Sequence, residues 1–228
     1  MATTPIYGWP YQSLTDAPNG ADLGEDLALG IEATVATLAG LVTTLQSDVT
    51  ALQNVPHLTR LDETTLGGTA SSVTFGSIPA TYRALQLSVI CRGDDAAQFV
   101  DCRLRFNNDS SANYDSEQVT GAAAVAAAFE GLSETGINLG EMPGSTPIAG
   151  SVSARTVFIP FYAGTTFWKL ATTSHNLSSQ TSGGQAGQQH SKHWAGRWRS
   201  TAAISSVTIL AGAGDFIAGS SFVLYGLP

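Results

Sequence analysis

The residues best suited to recognition chemistry cluster in the undecapeptide HSKHWAGRWRS, which runs from His190 to Ser200. It sets His193, Trp194, Arg197 and Trp198 beside an amide-rich stretch, Asn176 to Lys192, that includes Gln185, Gln188 and Gln189. An indole face stacks on the apolar face of a sugar ring while amides bond its hydroxyls, so this pattern points to carbohydrate recognition. Strand alternation would place Trp194 and Trp198 on one face and Arg197 and Arg199 on the other. Two readings follow: an indole packs into a core, or it stands as an exposed plate. The stretch 176–192 has adjacent glycines and Leu177 as its one sizeable apolar group, so it is expected to be a long exposed loop between two strands.

Other chemistry is thinly supported. His175, His190 and His193 have neither a cysteine nor paired carboxylates nearby, and no metal site is expected, although three copies of one histidine could share an ion on a trimer axis. Carboxylates from Asp94 to Asp215 are scattered over turns and strand faces, not paired for acid–base work. There is no nucleophile elbow, phosphate loop or long β-helical repeat, so neither an enzyme nor a cofactor is expected. Arg92-Gly93-Asp94 reads as a hairpin turn with glycine at the bend. Cys91 and Cys102 fall in phase with their segments' apolar residues and are expected as buried free thiols, with a disulfide left open.

These groups need a scaffold, and its pattern has three parts. Residues 1–22 hold three prolines and the aromatics Tyr7, Trp9 and Tyr11, an extended segment suited to docking on another surface. Residues 23–56 carry an apolar repeat, Ile31, Val35, Leu38, Val42, Leu45, Val49 and Leu52, at alternating spacings of four and three. A period of 3.5 residues calls for copies of the same helix in a left-handed coiled coil. Val at a and Leu at d lean toward a dimer, whereas Leu27 and Leu41 at g widen the seam in favour of a trimer. From 57 to 228 the period changes to two, as in Leu85, Leu87, Val89, Cys91 and in Val100, Cys102, Leu104, Phe106. About ten short strands imply a mainly β domain, a jelly-roll-like β-sandwich. The small-residue run Gly121 to Ala128 reads as a loop or one helical turn.

Composition agrees: 228 residues with 43% hydrophobic and only 12% charged residues, and a formal net charge of -8. The first 59 residues contain no lysine or arginine, so nucleic acid is not an expected partner. The N-terminus lacks the pattern of a signal or transit peptide. No stretch is expected to span a bilayer.

Three segments, SVTFGSIPATYRALQLSVICR, LRFNNDSSANYD and GAGDFIAGSSFVLYGLP, together resemble the C-terminal β-domain of minor tail proteins and tail fibres of tailed bacteriophages. The opening PIYGWPYQSLTDAPNGADLGEDLALGIEATVA is similar to the leader of such proteins in phages of actinobacteria. The resemblance implies a homotrimeric virion fibre, assembled in the host cytoplasm and joined to other tail proteins, whose distal domain faces the host. The expected activity is multivalent adsorption to a host cell-surface carbohydrate. The alternative is a decoration fibre of capsid or tail with a structural or non-specific adhesive role.

Overall fold

A computed structural model describes residues 2–3, 10–11, 20–53, 57–122, 125–179 and 188–228. The chain divides into two compact units, Met1–Val55 and Pro56–Pro228. In the first, β1 (Ala2–Thr3) pairs antiparallel with β2 (Pro10–Tyr11), followed by α1 (Gly20–Gln53). The segment expected to be simply extended thus contains a short ladder, and its helix begins before residue 23. Tyr7 and Trp9 lie outside the described residues, and Tyr11 belongs to β2.

Helix α1 presents every residue of the apolar repeat to solvent, from 44% exposure at Ile31 to 73% at Leu52. Thr34, Thr37, Thr43, Thr44 and Thr50 each return a hydroxyl hydrogen bond to the carbonyl four residues back. That arrangement satisfies the hydroxyl without adding helix stability. By length and composition Gly24–Leu52 is also apolar enough to cross a membrane, contrary to the sequence expectation. The reason is that Thr, Ala and Gly fill the positions between the large apolar residues, so the segment carries few charges.

The second unit is mainly β, built on two antiparallel sheets. Its strands are β3 (Thr59–Thr65), β4 (Ser72–Phe75), β5 (Ala84–Cys91), β6 (Phe99–Phe106), β7 (Tyr114–Ala122) and β8 (Val125–Glu134). They continue with β9 (Ile137–Pro143), β10 (Val152–Pro160), β11 (Lys169–Ser179), β12 (Gln188–Trp198), β13 (Val207–Ala211) and β14 (Ser221–Leu227). One sheet has eight strands in the order β3-β14-β5-β10-β11-β12-β7-β8, the other four in the order β4-β13-β6-β9. Successive strands β4, β5, β6 and β7 alternate between the sheets, as do β8, β9 and β10.

The core is the layer where the two sheets face each other. Leu85, Leu87 and Val89 of β5, Cys102, Leu104 and Phe106 of β6, and Phe216, Phe222 and Leu224 near the C-terminus are all buried there, as period-two alternation requires. Gly214 and Gly219 take positive φ, of 61° and 86°, at the turns leading into β14. Cys91 and Cys102 are free thiols buried in this layer. The Cys91 thiol is drawn down by a hydrogen bond with Cys102 and by the Arg155 guanidinium, against the opposing effect of burial. Burial pushes Cys102 up.

Four sequence expectations change. The run Gly121 to Ala128 is neither loop nor helical turn: it supplies the ends of the hairpin β7–β8. Residues 176–179 and 188–192 are not loop but continue β11 and β12 in an unbroken register, and 180–187 lie outside the described residues. Arg92-Gly93-Asp94 does not close a hairpin, because β5 and β6 lie in different sheets and the segment crosses between them. Finally, β3 was not expected at all.

Gly196 of β12 packs so closely that a Cβ there would collide with the buried, branched side chain of Ile137. Gly196→Ala should therefore lower stability by about 1–3 kcal/mol, the usual cost of overpacking. A chemical-denaturation midpoint unchanged from wild type would contradict the tight apposition of β12 and β9.

Candidate functional site

The hairpin β11–β12 fixes where the sequence candidates stand. Trp194 and Trp198 share a face, and that face looks inward: they are only 5% and 3% exposed. Trp198 donates its indole N–H to Asp109 Oδ2 at 2.7 Å and stacks on Tyr114 at 6.1 Å with an interplanar angle of 14°. Trp194 lies over Gly140, whose backbone has φ of 90°; a Cβ there would sit 3.1 Å from the indole nitrogen. Neither indole can act as an exposed sugar plate, because the inward face of β12 is covered by β9. His193 and Arg197 point the other way, to the open face of the large sheet. Gln188 and Gln189 belong to β12, and Gln185 lies outside the described residues.

Beneath β9 the same inward face gathers a polar group that sequence reasoning did not foresee. Arg155 of β10 donates to the carbonyls of Gly140 and Glu141 at 3.0 Å each and to Ser153 Oγ at 2.7 Å. Lys192 of β12 meets Glu141 Oε2 at 2.8 Å. His175 of β11 donates from Nε2 to the Glu141 carbonyl at 2.7 Å, and burial, reinforced by the Arg155 charge, pushes its pKa down to about 3. Arg155, His175 and Lys192 are buried, and their hydrogen bonds go chiefly to backbone carbonyls and one carboxylate, so the group ties the sheets together. Among the described residues no group of three or more His, Cys, Asp or Glu is placed to hold a metal ion.

Two accessible concavities lie at opposite ends of the β-domain. Strand pairing brings Thr59, Leu227, Ala84, Pro160, Lys169 and Trp198 to one end, the end at which the chain enters the domain. The pairs Ala122–Val125 of β7–β8 and Ser179–Gln188 of β11–β12 lie at the far end with Cys91 and Val152. The far-end cleft, about 670 Å³, runs between the segments 90–94, 145–152 and 217–220. Its wall is held by Arg92, which donates to the carbonyls of Ile148 and Pro147 at 2.7 and 2.6 Å, while Asp94 Oδ1 accepts from the Asp215 amide at 2.7 Å. At the entry end, the β10–β11 connection forms a concavity of about 430 Å³ lined by Phe161, Phe167, Trp168 and Leu170. Arg197 lies over the Trp168 ring at 5.6 Å while its Nε donates to Asp115 Oδ2 at 2.6 Å.

These rings, and not Trp194 or Trp198, are the aromatics that line an accessible concavity. Their sequence signal was present in FYAGTTFWKL: Phe167-Trp168 are adjacent, so alternation could not bury both on one face. The far-end cleft had no comparable signal, since its walls come from three segments distant in sequence.

The turn after β6 behaves as expected of a structural turn. Asn107 and Asn108 take φ of 52° and 55°, and Asp109 accepts hydrogen bonds from the Ser111 amide, Asn113 and Trp198. Burial would raise the Asp109 carboxyl, but these bonds outweigh it and bring the pKa from 3.8 to about 2. A carboxyl depressed on folding contributes stability that is present above its unfolded value and is lost as pH falls through the folded one. The wild type should therefore lose more stability than Asp109→Asn between pH 4 and about 2. Parallel denaturation curves over that window would refute the assignment. No protein-family model, curated protein or solved structure matches this chain.

Proposed function

We propose that the chain is a subunit of a homotrimeric virion fibre whose β-domain adsorbs to a host-surface glycan. The observation that carries this reading is α1: a solvent-exposed stripe in strict heptad order, on a helix joined to a self-contained β-domain. Copies of the helix wound into a coiled coil would bury such a stripe. The likeness to tail-fibre sequences supports the same assignment. The strand order β4-β13-β6-β9 in one sheet, with β5-β10 and β7-β8 in the other, supports a jelly roll with the hairpin β11–β12 inserted between β10 and β7.

Adsorption is best served by the far-end cleft, which is large enough for a sugar unit and lies opposite the end where the chain enters. It replaces Trp194 and Trp198 as the candidate surface. A single site of this kind binds at about millimolar strength, roughly -4 kcal/mol, and presentation of three sites on one fibre multiplies the effect. The N-terminal segment with Tyr7, Trp9 and Tyr11 would join the fibre to other tail proteins.

A membrane anchor is the second reading, favoured by the length and apolar composition of Gly24–Leu52. The heptad order and Glu32 within the segment favour the coiled coil, since an ionised carboxylate is costly in a bilayer. Sedimentation of the full chain in plain buffer should give a trimer, and Leu38→Asp combined with Leu45→Asp should give a monomer with an unchanged β-sheet spectrum. Flotation of the full chain with phospholipid vesicles, or a monomeric wild type, would discard the fibre reading.

For adsorption, labelled full chain should bind cell-wall polysaccharide from actinobacterial cells, and Ala218→Trp, which fills the cleft from its exposed rim, should abolish binding while leaving the oligomer intact. Equal binding by the variant would move the site elsewhere; no binding by the wild type would favour a decoration fibre.

A further inference from the structure

The aromatic loop at the entry end is left without a role by glycan binding at the far end. Phe161 and Phe167 are 80% and 79% exposed and Trp168 is 52% exposed, on the order of 400 Å² of aromatic surface. Phe161 is held with φ at 46°, a backbone conformation that a bulky residue rarely adopts. It is pinned there by its own amide to the Arg83 carbonyl at 2.9 Å and by the Gly164 amide to its carbonyl at 3.1 Å. The backbone is thus fixed in a form that presents the ring to solvent.

On the reading that α1 gathers three copies, we infer that the loop 161–168 packs against the β-domain of a neighbouring copy of this chain, as a second subunit contact beside the coiled coil. Position argues for this occupant. The first strand of the domain, β3, starts at the same end as Phe161, and three strand spacings separate β3 from β10 in the sheet, about 14 Å. Between Gln53 and Thr59 the chain can stretch at most about 20 Å, and helices of a coiled coil lie about 10 Å apart. The entry ends of three copies are therefore held within about a domain's width, at the high effective concentration that lets a modest apolar patch find a partner.

Chemistry argues against a sugar in the same place. Besides Thr166, the polar side chain lining the concavity is Lys169, and its ammonium is turned to the carbonyls of Phe167 and Thr201 at 3.0 and 3.2 Å. Arg197 is engaged by Asp115 and Trp168. Sugar hydroxyls entering here would lose water without gaining partners, whereas the apolar surface of another subunit would not. The patch is about half of the roughly 800 Å² per partner in a stable interface, which fits a contact that supplements the coiled coil.

Hydroxyl-radical footprinting of the full chain, read by mass spectrometry beside sedimentation, tests this. In the trimer, Phe161, Phe167 and Trp168 should be protected relative to the Leu38→Asp/Leu45→Asp monomer. Equal oxidation of the three rings in an intact trimer would overturn the inference and leave the coiled coil standing. A monomeric wild type would remove both readings. Protection appearing only after addition of cell-wall polysaccharide would assign the loop to ligand and overturn the subunit contact. Independently, Phe167→Ser with Trp168→Ser should weaken each subunit contact by about 100-fold, about tenfold for each of its two rings no longer buried, and so raise the dissociation constant of the trimer, which carries three such contacts, by more than that. An unchanged constant in a variant with wild-type denaturation behaviour would also overturn it.

Discussion

Four strands cannot cover eight. At about 4.8 Å per strand the small sheet is roughly 19 Å wide and the large one roughly 38 Å, so much of the large sheet's inner face has no sheet above it. The apolar core occupies the shared width, with Leu85, Leu87, Phe106, Phe216 and Phe222 fully enclosed. The cover ends at β9, and along that border the side chains change character. Arg155, His175 and Lys192 come in from the large sheet and meet the Glu141 carboxylate or the carbonyls of 139–141. Past the border, Phe129 of β8 stands across from Gln118, itself across from the inward-facing Trp194, and remains 53% exposed.

That mismatch also explains why Arg155 and Lys192 are buried in a domain so poor in charge. A polar border needs fixed partners, and backbone carbonyls of β9 supply them at a defined distance without a second charge for each cation. Holding His175 neutral, with a pKa of about 3, keeps an additional positive charge away from Arg155 and Lys192. The border is therefore a stable seam across the ordinary pH range, and the chemistry available to ligands is displaced to the two ends of the strands.

The ends differ in kind. At the entry end, turns are tied by side-chain bonds such as Asn107 Oδ1 with the Ser205 and Ser206 amides, and the β10–β11 connection exposes aromatic rings. At the far end, the walls come from crossings between sheets and are held by Arg92 on backbone carbonyls. One end presents exposed aromatic rings; the other presents a recess with polar backbone at its rim.

The sequence by itself determined the elements whose side chains answer to one neighbour at a fixed period. The apolar repeat of α1 was legible from its spacing alone, and the inward faces of β5, β6 and β14 were legible because burial on one side imposes alternation on the residues themselves. The inward-facing phase of Trp194 and Trp198 was legible too, but whether that face was covered was not, since β9 does the covering from elsewhere in the chain. The two edge strands of the large sheet escaped. β3, TRLDETT, carries the charges that discourage edge pairing, and β8 opens on three alanines with solvent-exposed side chains from Ala126 to Glu130, so neither has a buried face to mark it. The far-end cleft and the grouping of Arg155, Glu141, His175 and Lys192 were decided by tertiary structure alone, because each is made by strands that meet only when the two sheets close on each other.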